Sequence, residues 1–347
     1  MASAIERLRA FARAAAAPLT PVDRRIVAET GLPVVYDAAV DPGQAGVHAD
    51  LLPLCAAGNF PGLAQAFDDL YADRAFTGTG YRTYRVAYDL LLAPLDRVTP
   101  DGPMPFADWW RCDPSDPAAA ACHARALLAA GHGATDAAGD ELLQAGWQVL
   151  RDQCGQARRV LATAGPRGRR HWMWRQADLM LIFSAWVAEA EDADMLLPAF
   201  AALQTLDPHE FGIYDDRVMQ LLPCWTGSSD AIDRFARASA NRTAAQFGDL
   251  LYARIYDRAF SHVEPEQTNV DPDRFVAAFA DWYNRFPSQP LANRYAAHAH
   301  AFGDVATVEQ LFRGPLREIH PAHWLDRDQP LEAWYQVSGR RRAGGRG

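Results

Sequence analysis

The residues whose types and spacing suit chemistry are mostly histidines. His320-Pro321-Ala322-His323 has i, i+3 spacing, with Glu318 just upstream. On a helix the two imidazoles share a face, and with a carboxylate they form a set that suits zinc. Pro321 lies between them and the chain has no HExxH, so a turn or helix start is the preferred reading. His320, His323 and Glu318 are kept as the metal candidate, while the expectation is that no metal or cofactor is bound. His298-Ala299-His300 is an i, i+2 pair within a helical pattern. Its side chains point about 200° apart, so they do not converge on one ion. His123 follows Cys122, but a Cys–His dyad is made in space and not by adjacency. The acidic run Glu189-Ala190-Glu191-Asp192-Ala193-Asp194 reads as a solvated helix junction. GxSxG, Walker A and GxGxxG patterns are absent, and Gly78-Thr79-Gly80 reads as a loop before a helix. No catalytic residue is assigned.

Tryptophan and arginine point to binding. Ten tryptophans are present, and His171-Trp172-Met173-Trp174-Arg175 places two beside an arginine. Residues two apart on a helix face different ways, so one indole is expected to leave the local core. Trp172, Trp174 and Arg175 then form a candidate partner-binding surface of the composition favoured at interface hot spots. Tyr252, Arg254, Tyr283 and Arg285 are candidates of the same kind. The preferred reading of the two indoles is that both pack between neighbouring helix pairs, and the binding surface is kept as the candidate beside it.

Composition narrows the classes. In 347 residues the formal net charge is −9, and all 34 basic residues are arginine, since no lysine occurs. An acidic chain without a basic stripe is not expected to bind nucleic acid. The five cysteines are widely spaced without a CxxC, so neither a disulfide framework nor a zinc ribbon is suggested. The longest nearly apolar run, Leu179 to Ala188, is too short to span a bilayer, which takes about 20 residues. The N-terminal segment mixes Glu6, Arg7, Arg9 and Arg13 with alanine and lacks a secretory core. A cytoplasmic protein without membrane contact is expected.

The elements that must position these residues are helices. Leu143, Trp147, Leu150, Cys154, Ala157 and Leu161 recur at steps of three and four, as do Leu179, Ile182, Phe183 and Trp186. Phe247, Leu250, Leu251 and Ile255 repeat the pattern, and Phe275, Phe279, Trp282 and Phe286 make an aromatic stripe. Val34-Val35-Tyr36 is the one β-like patch, and a loop suits it equally. Thr20-Pro21, Asp116-Pro117, Asp207-Pro208 and Asp271-Pro272 each place a capping side chain before proline, predicting four helix starts. Asp207 and Glu210 also have capping-box spacing. The segment from Gly58-Asn59 to Phe67 can be laid on Gly303-Asp304 to Phe312, and Gly227-Ser228 opens a shorter relative. Each reads as the turn inside a helical hairpin. The spacing is uneven, so the predicted architecture is all-α: an irregular α-solenoid of stacked antiparallel helix pairs. The predicted organisation is a helical region over 1–100, a Pro/Asp-rich connector over 101–116, a helical-repeat region over 117–335 and a disordered Arg/Gly tail over 336–347.

Three segments resemble an uncharacterised bacterial family of tetratricopeptide-like helical proteins whose domain has no assigned function. They are Leu222-Pro223-Cys224-Trp225-Thr226-Gly227-Ser228-Ser229, then Gly248-Asp249-Leu250-Leu251-Tyr252-Ala253-Arg254-Ile255-Tyr256, and Trp282-Tyr283-Asn284-Arg285-Phe286-Pro287-Ser288. The resemblance covers roughly 140–325. The family pattern has a second glycine where Thr226 stands, and the chain departs from it there. The resemblance implies a helical-repeat fold and carries no activity or catalytic residue.

The expectation for function is a non-enzymatic interaction protein, of the immunity or adaptor kind that masks a toxin or effector. Its acidity suggests a basic protein partner. The alternatives are an enzyme or small-molecule binder with a pocket built from dispersed Arg, His and Trp residues, and a structural homo-oligomer.

Overall fold

Thr20, Asp116 and Asp271 do what their position before proline demands. Thr20 Oγ1 accepts from Asp23 N at 3.2 Å, and the Asp23 carboxylate bonds back to Thr20 N at 2.7 Å, completing a capping box. Asp116 Oδ1 accepts from Ala118 N at 2.9 Å, and Asp271 Oδ1 from Arg274 N at 3.1 Å. The computed structural model describes residues 19–36, 42–93, 95, 98, 99, 101–137, 143–189, 193–225 and 227–339. The N-terminal segment and residues 340–347 of the expected tail, with Arg340, Arg341 and Arg342, lie outside them, while Gln336, Val337 and Ser338 of that tail are helical and not disordered.

Among the described residues there are seventeen α-helices and no strand. In chain order they are α1 (Pro21–Thr30), α2 (Pro42–Ala57), α3 (Phe60–Asp73), α4 (Thr83–Leu92), α5 (Ala107–Cys112), α6 (Pro117–Ala137), α7 (Leu143–Thr163), α8 (Gly165–Gly168) and α9 (Trp172–Glu189). They continue with α10 (Ala193–Leu206), α11 (Gly212–Gln220), α12 (Ser229–Phe247), α13 (Leu250–Ala259), α14 (Pro272–Arg285), α15 (Gln289–Ala301), α16 (Val305–Arg313) and α17 (Gln329–Ser338). No described helix is long and apolar enough to cross a membrane.

The chain divides into two compact units. The first comprises Met1–Gly43, Thr77–Gly80 and Gly227–Gly347; the second comprises Gln44–Phe76 and Tyr81–Thr226. The connector expected over 101–116 lies inside the second unit and carries α5. In the first unit α12 to α17 pack each on the next, and α17 closes on α1. Val34-Val35-Tyr36 forms no strand: Val35 N donates to Ile319 O and Ile319 N to Pro33 O, both at 2.8 Å, as an isolated bridge. In the second unit α6 packs on α7, both pack on α9, and α9 packs on α10. This is an all-α protein of stacked helix pairs.

The aromatic stripe Phe275, Phe279, Trp282 and Phe286 is buried throughout, as are Leu150, Cys154, Ala157 and Leu161 on α7. The hairpin-turn signature also holds. Gly58 and Gly303 sit at φ 62° and 77°, the left-handed region in which a glycine ends a helix without strain. The next residue then caps: Asn59 Oδ1 accepts from Gly62 N at 3.1 Å, and Asp304 Oδ1 from Thr307 N at 3.0 Å. Ser228 caps α12 through Ala231 N at 3.1 Å.

Two expectations need correction. The stripe from Phe247 to Ile255 is not one helix: α12 ends at Phe247 and α13 begins at Leu250. Asp207-Pro208 does not start a helix. Residues 207–211 form a turn and α11 begins at Gly212, with Glu210 as its cap, accepting from Gly212 N at 2.8 Å and Ile213 N at 3.0 Å. Asp207 is fully buried and serves a different purpose. It takes Arg82 Nε at 2.9 Å and Nη2 at 3.1 Å, and Tyr84 Oη donates to it at 3.0 Å. An unmet buried charge outweighs a local cap, so tertiary pairing recruits this carboxylate.

Asp207→Asn keeps the size and leaves Arg82 buried without its countercharge. Loss of about 3–5 kcal/mol of unfolding free energy is expected by urea titration, as for other broken buried pairs. Glu210 gives a pH signature. Burial raises its carboxyl from 4.5 to about 7, against the Arg85 guanidinium 3.9 Å away. The folded chain therefore holds a proton there that the unfolded chain has released. Stability from this group is present below pH 4.5 and falls as pH rises to about 7. Glu210→Gln is expected to flatten that part of a stability–pH profile.

Candidate functional site

The second unit carries a cleft of about 500 Å³ built from three stretches of chain. Helix α3 supplies Phe60, Ala64 and Asp68 at steps of four, so one face lines one wall. Helix α5 and the turn into α6 supply Trp109, Cys112, Asp113 and Asp116, with Pro117 and Ala118 from the first turn of α6. The segment after α7 supplies Arg167, Arg170 and His171.

The floor is apolar and aromatic. Phe60 and Trp109 lie nearly parallel, 4° apart, with centroids at 6.1 Å. Trp109 is buried and its Nε1 donates to Asp116 Oδ2 at 3.0 Å, so the indole is held by a carboxylate of the same cleft. The turn from α5 to α6 is tied down from behind. Trp110 Nε1 donates to Thr163 Oγ1 at 3.1 Å, and Thr163 Oγ1 to Pro114 O at 2.5 Å. The end of α7 is thereby fixed to the turn that carries Asp113 and Asp116.

The arginine wall depends on one close approach. A Cβ on Gly168 would lie 2.6 Å from both Cδ1 and Nε1 of Trp174. That indole in turn donates to Leu161 O at 2.8 Å. A side chain at 168 would therefore displace the ring that fixes α8, and with it Arg167 and Arg170.

Each carboxylate of the cleft is engaged within the chain. Asp116 bonds Trp109 Nε1 and Ala118 N, and its burial pushes its carboxyl above the usual range. Asp113 Oδ1 accepts from Ser115 N at 3.0 Å and Ser115 Oγ at 2.7 Å, which holds Asp113 below its usual range. Asp68 is held low by His171, whose Nε2 approaches it at 3.6 Å. Arg167 and Arg170 are exposed, and the Arg167 charge helps to hold Asp68 and Asp113 low. His171 Nδ1 is buried and meets no partner.

The residues singled out from the sequence lie elsewhere. Trp172 is 1% and Trp174 8% exposed, so neither indole leaves the core. Trp172 packs edge-on against Tyr84 and Tyr88, with centroids at 4.9 and 5.7 Å. Arg175 lies over Trp174 at 5.6 Å and donates to Arg169 O at 2.9 Å. In the first unit Tyr252 and Arg254 are also interior: Tyr252 Oη accepts from Asp271 N at 3.1 Å, and Arg254 lies over Trp282 at 5.3 Å. Tyr283 is half-buried beside Tyr295, and Arg285 is exposed over Phe247. As an exposed partner-binding surface this set reduces to Arg285, with Arg175 and Tyr283 partly accessible. Trp172, Trp174, Tyr252 and Arg254 are buried because α9 and α13 are each packed against more than one helix.

His320 and Glu318 do meet, Nε2 to Oε1 at 2.8 Å, and the His323 ring lies 6.0 Å from that of His320. Pro321–His323 is a short 3₁₀ turn, so the helical face assumed for the pair does not form. Burial depresses both imidazoles, His323 to about 4. Among the described residues no three His, Cys, Asp or Glu side chains are grouped to hold a metal. His298 and His300 diverge, His298 Nε2 to Asp257 Oδ1 at 2.9 Å and His300 Nδ1 to Gln336 Oε1 at 2.8 Å. Of the acidic run at 189–194, only the Asp194 side chain is described, and it is exposed.

The chain matches no protein-family profile, no curated protein and no solved structure. Gly168→Ala is expected to lower unfolding free energy by about 1–3 kcal/mol, the cost of overpacking together with a lost buried hydrogen bond. Urea denaturation followed by tryptophan fluorescence measures it.

Proposed function

We propose that this chain is a protein-recognition protein, of the adaptor or immunity kind that covers another protein, and that the Phe60–Trp109 cleft receives a group of its partner. One observation supports this reading above the rest. An open cleft with an aromatic floor sets the exposed side chains of Arg167 and Arg170 beside the stacked rings of Phe60 and Trp109. Aromatic rings and arginine are the residue types that carry most binding energy where proteins meet. Stacked helix pairs supply a rigid frame for such a site, because each pair is held by its neighbours.

A second reading, a small-molecule binder, is favoured by the size of the cleft. Its volume of about 500 Å³ falls within the roughly 300–1,000 Å³ of small-ligand sites. The pocket is also assembled from dispersed Arg, His and Trp residues.

Ala64→Trp, on the half-buried wall of α3, fills the cleft without touching a charge. Affinity capture from the native cell with the full chain is expected to hold a defined protein with the parent and to lose it at least about tenfold with the variant, the size of a hot-spot loss. Circular dichroism melts of both proteins control for folding. Equal capture by both, or capture of no protein, would overturn the reading. Retention of a metabolite by the purified parent alone would favour the small-molecule reading.

A further inference from the structure

Resting on the reading of the chain as a protein-recognition protein, we propose a second contact site, within the first unit: a groove between α14 and the turn from α15 to α16 that receives an arginine side chain from a basic segment of the partner. The groove holds about 350 Å³, near the roughly 300 Å³ lower limit of ligand pockets, which suits one side chain. Asp273, Val276 and Ala277 stand at steps of three and four, so one face of α14 makes a wall. Tyr295 of α15 and Phe302 just past its end supply rings, and Phe302 is braced edge-on by Phe275 at 5.3 Å. Asp304 and Thr307 close the groove from the start of α16.

Two carboxylates line the groove, and no arginine or histidine does. Asp273 is exposed, and among the described residues it accepts no hydrogen bond and pairs with no cation. Asp304 accepts from Thr307 N at 3.0 Å and Thr307 Oγ1 at 2.6 Å, one bond to each oxygen. A carboxylate has about four acceptor sites, so each oxygen keeps one for a cation. Burial, and then the charges of Asp304 and Asp281, raise the Tyr295 hydroxyl above its usual range, so the field of the acids reaches the rings. The helix ends do not cancel that field. The N-termini of α14 and α16 bring about half a positive charge each and the C-terminus of α15 about half a negative one, against two full carboxylate charges. The chain's own arginines show what a carboxylate beside a ring holds. Arg274 forks onto Asp249 at 2.8 and 3.0 Å while lying 4.2 Å over the Tyr252 ring. Arg82 treats Asp207 and the Phe76 ring in the same way. A planar, weakly hydrated guanidinium stacks and forks at once, whereas an ammonium is a point charge with a tight water shell.

Three peptides of one size test the site by ligand-observed NMR titration with the full chain: acetyl-Gly-Arg-Gly-amide, its citrulline analogue, which keeps the shape without the charge, and its lysine analogue. The arginine peptide is expected to bind with a Kd on the order of 1 mM, the affinity typical of a fragment. The citrulline peptide should bind at least about tenfold more weakly, the loss of a charge-assisted contact. Asp273→Asn, and separately Ala277→Trp, which fills the groove, should weaken the arginine peptide by a similar factor with the fold retained in circular dichroism, both positions being exposed. Asp194→Asn, at an exposed acid of the second unit, should leave it unchanged and controls for general attraction to an acidic chain. Equal binding of the arginine and citrulline peptides overturns the proposal. So does an affinity unchanged in both groove variants, an equal loss with Asp194→Asn, or tighter binding of the lysine peptide. Tighter binding of the arginine peptide by a chain carrying Arg340→Gln, Arg341→Gln and Arg342→Gln would make the chain's own tail the occupant and overturn the assignment to a partner. The parent reading fails separately. If capture of the partner is lost with Ala64→Trp but kept with Ala277→Trp, recognition stands and the groove's part in it falls. If the arginine peptide binds as expected and no protein is captured, the groove's preference stands and the recognition reading falls.

Discussion

The second unit is organised around one buried carboxylate. Asp207 is wholly enclosed and gathers the Arg82 guanidinium through two hydrogen bonds and the Tyr84 hydroxyl through a third. Arg82 also reaches Arg74 O and lies over the Phe76 ring at 3.9 Å. A charge removed from water is tolerated only when its partners are fixed, so this cluster sets where the end of α3, the start of α4 and the turn after α10 lie relative to one another. Tyr84, once held, offers its ring to Trp172, the first residue of α9. His171 precedes that tryptophan and lines the cleft. The position of the cleft's basic wall thus follows, contact by contact, from a pair of opposite charges buried well away from it.

A second buried group reinforces the same arrangement. Arg85 pairs with Asp216 at 2.8 Å and with Asp89 at 2.8 Å, and Gln176 of α9 bonds Asp216 at 3.3 Å. Glu210, beside them, spends its oxygens on the first amides of α11. Not every buried polar atom of this unit is matched: Tyr88 Oη, Arg125 Nε and Gln153 Oε1 meet no hydrogen-bond partner. In the open cleft the acids carry internal bonds, and the exposed Arg167 acts on two of them, Asp68 and Asp113.

Much of the fold was legible before any coordinates. Glycine followed by Asn or Asp marks the starts of α3 and α16, and Ser228 that of α12, because a left-handed glycine in the first two and a capping side chain in all three are local requirements that no distant contact has to supply. Aromatic stripes at helical spacing found their own core on α14. The failures share a cause. Asp207-Pro208 carries the same local signature as Asp271-Pro272, yet its carboxylate is claimed by Arg82, 125 residues earlier in the chain. Trp172 and Trp174, two apart, should diverge, and they do; but helices pack against α9 on more than one side, so diverging does not mean emerging. Of the cleft, only the i, i+4, i+8 series Phe60, Ala64 and Asp68 leaves a trace in the sequence, and alone it reads as one more helix face.

The sequence by itself determined that the chain is helical, where several of its helices begin, and which stripes are apolar, since period and capping depend on neighbours within about one turn. Tertiary structure alone decided which polar groups are spent and which remain available. Asp116 and Arg167 are equally ionisable side chains in a sequence. They become unlike because packing places an indole N–H and a helix amide on the one, and leaves the other facing an open cleft. That difference is a sum over contacts between segments about 50 residues apart, as at Trp110 and Thr163, and no local rule contains it.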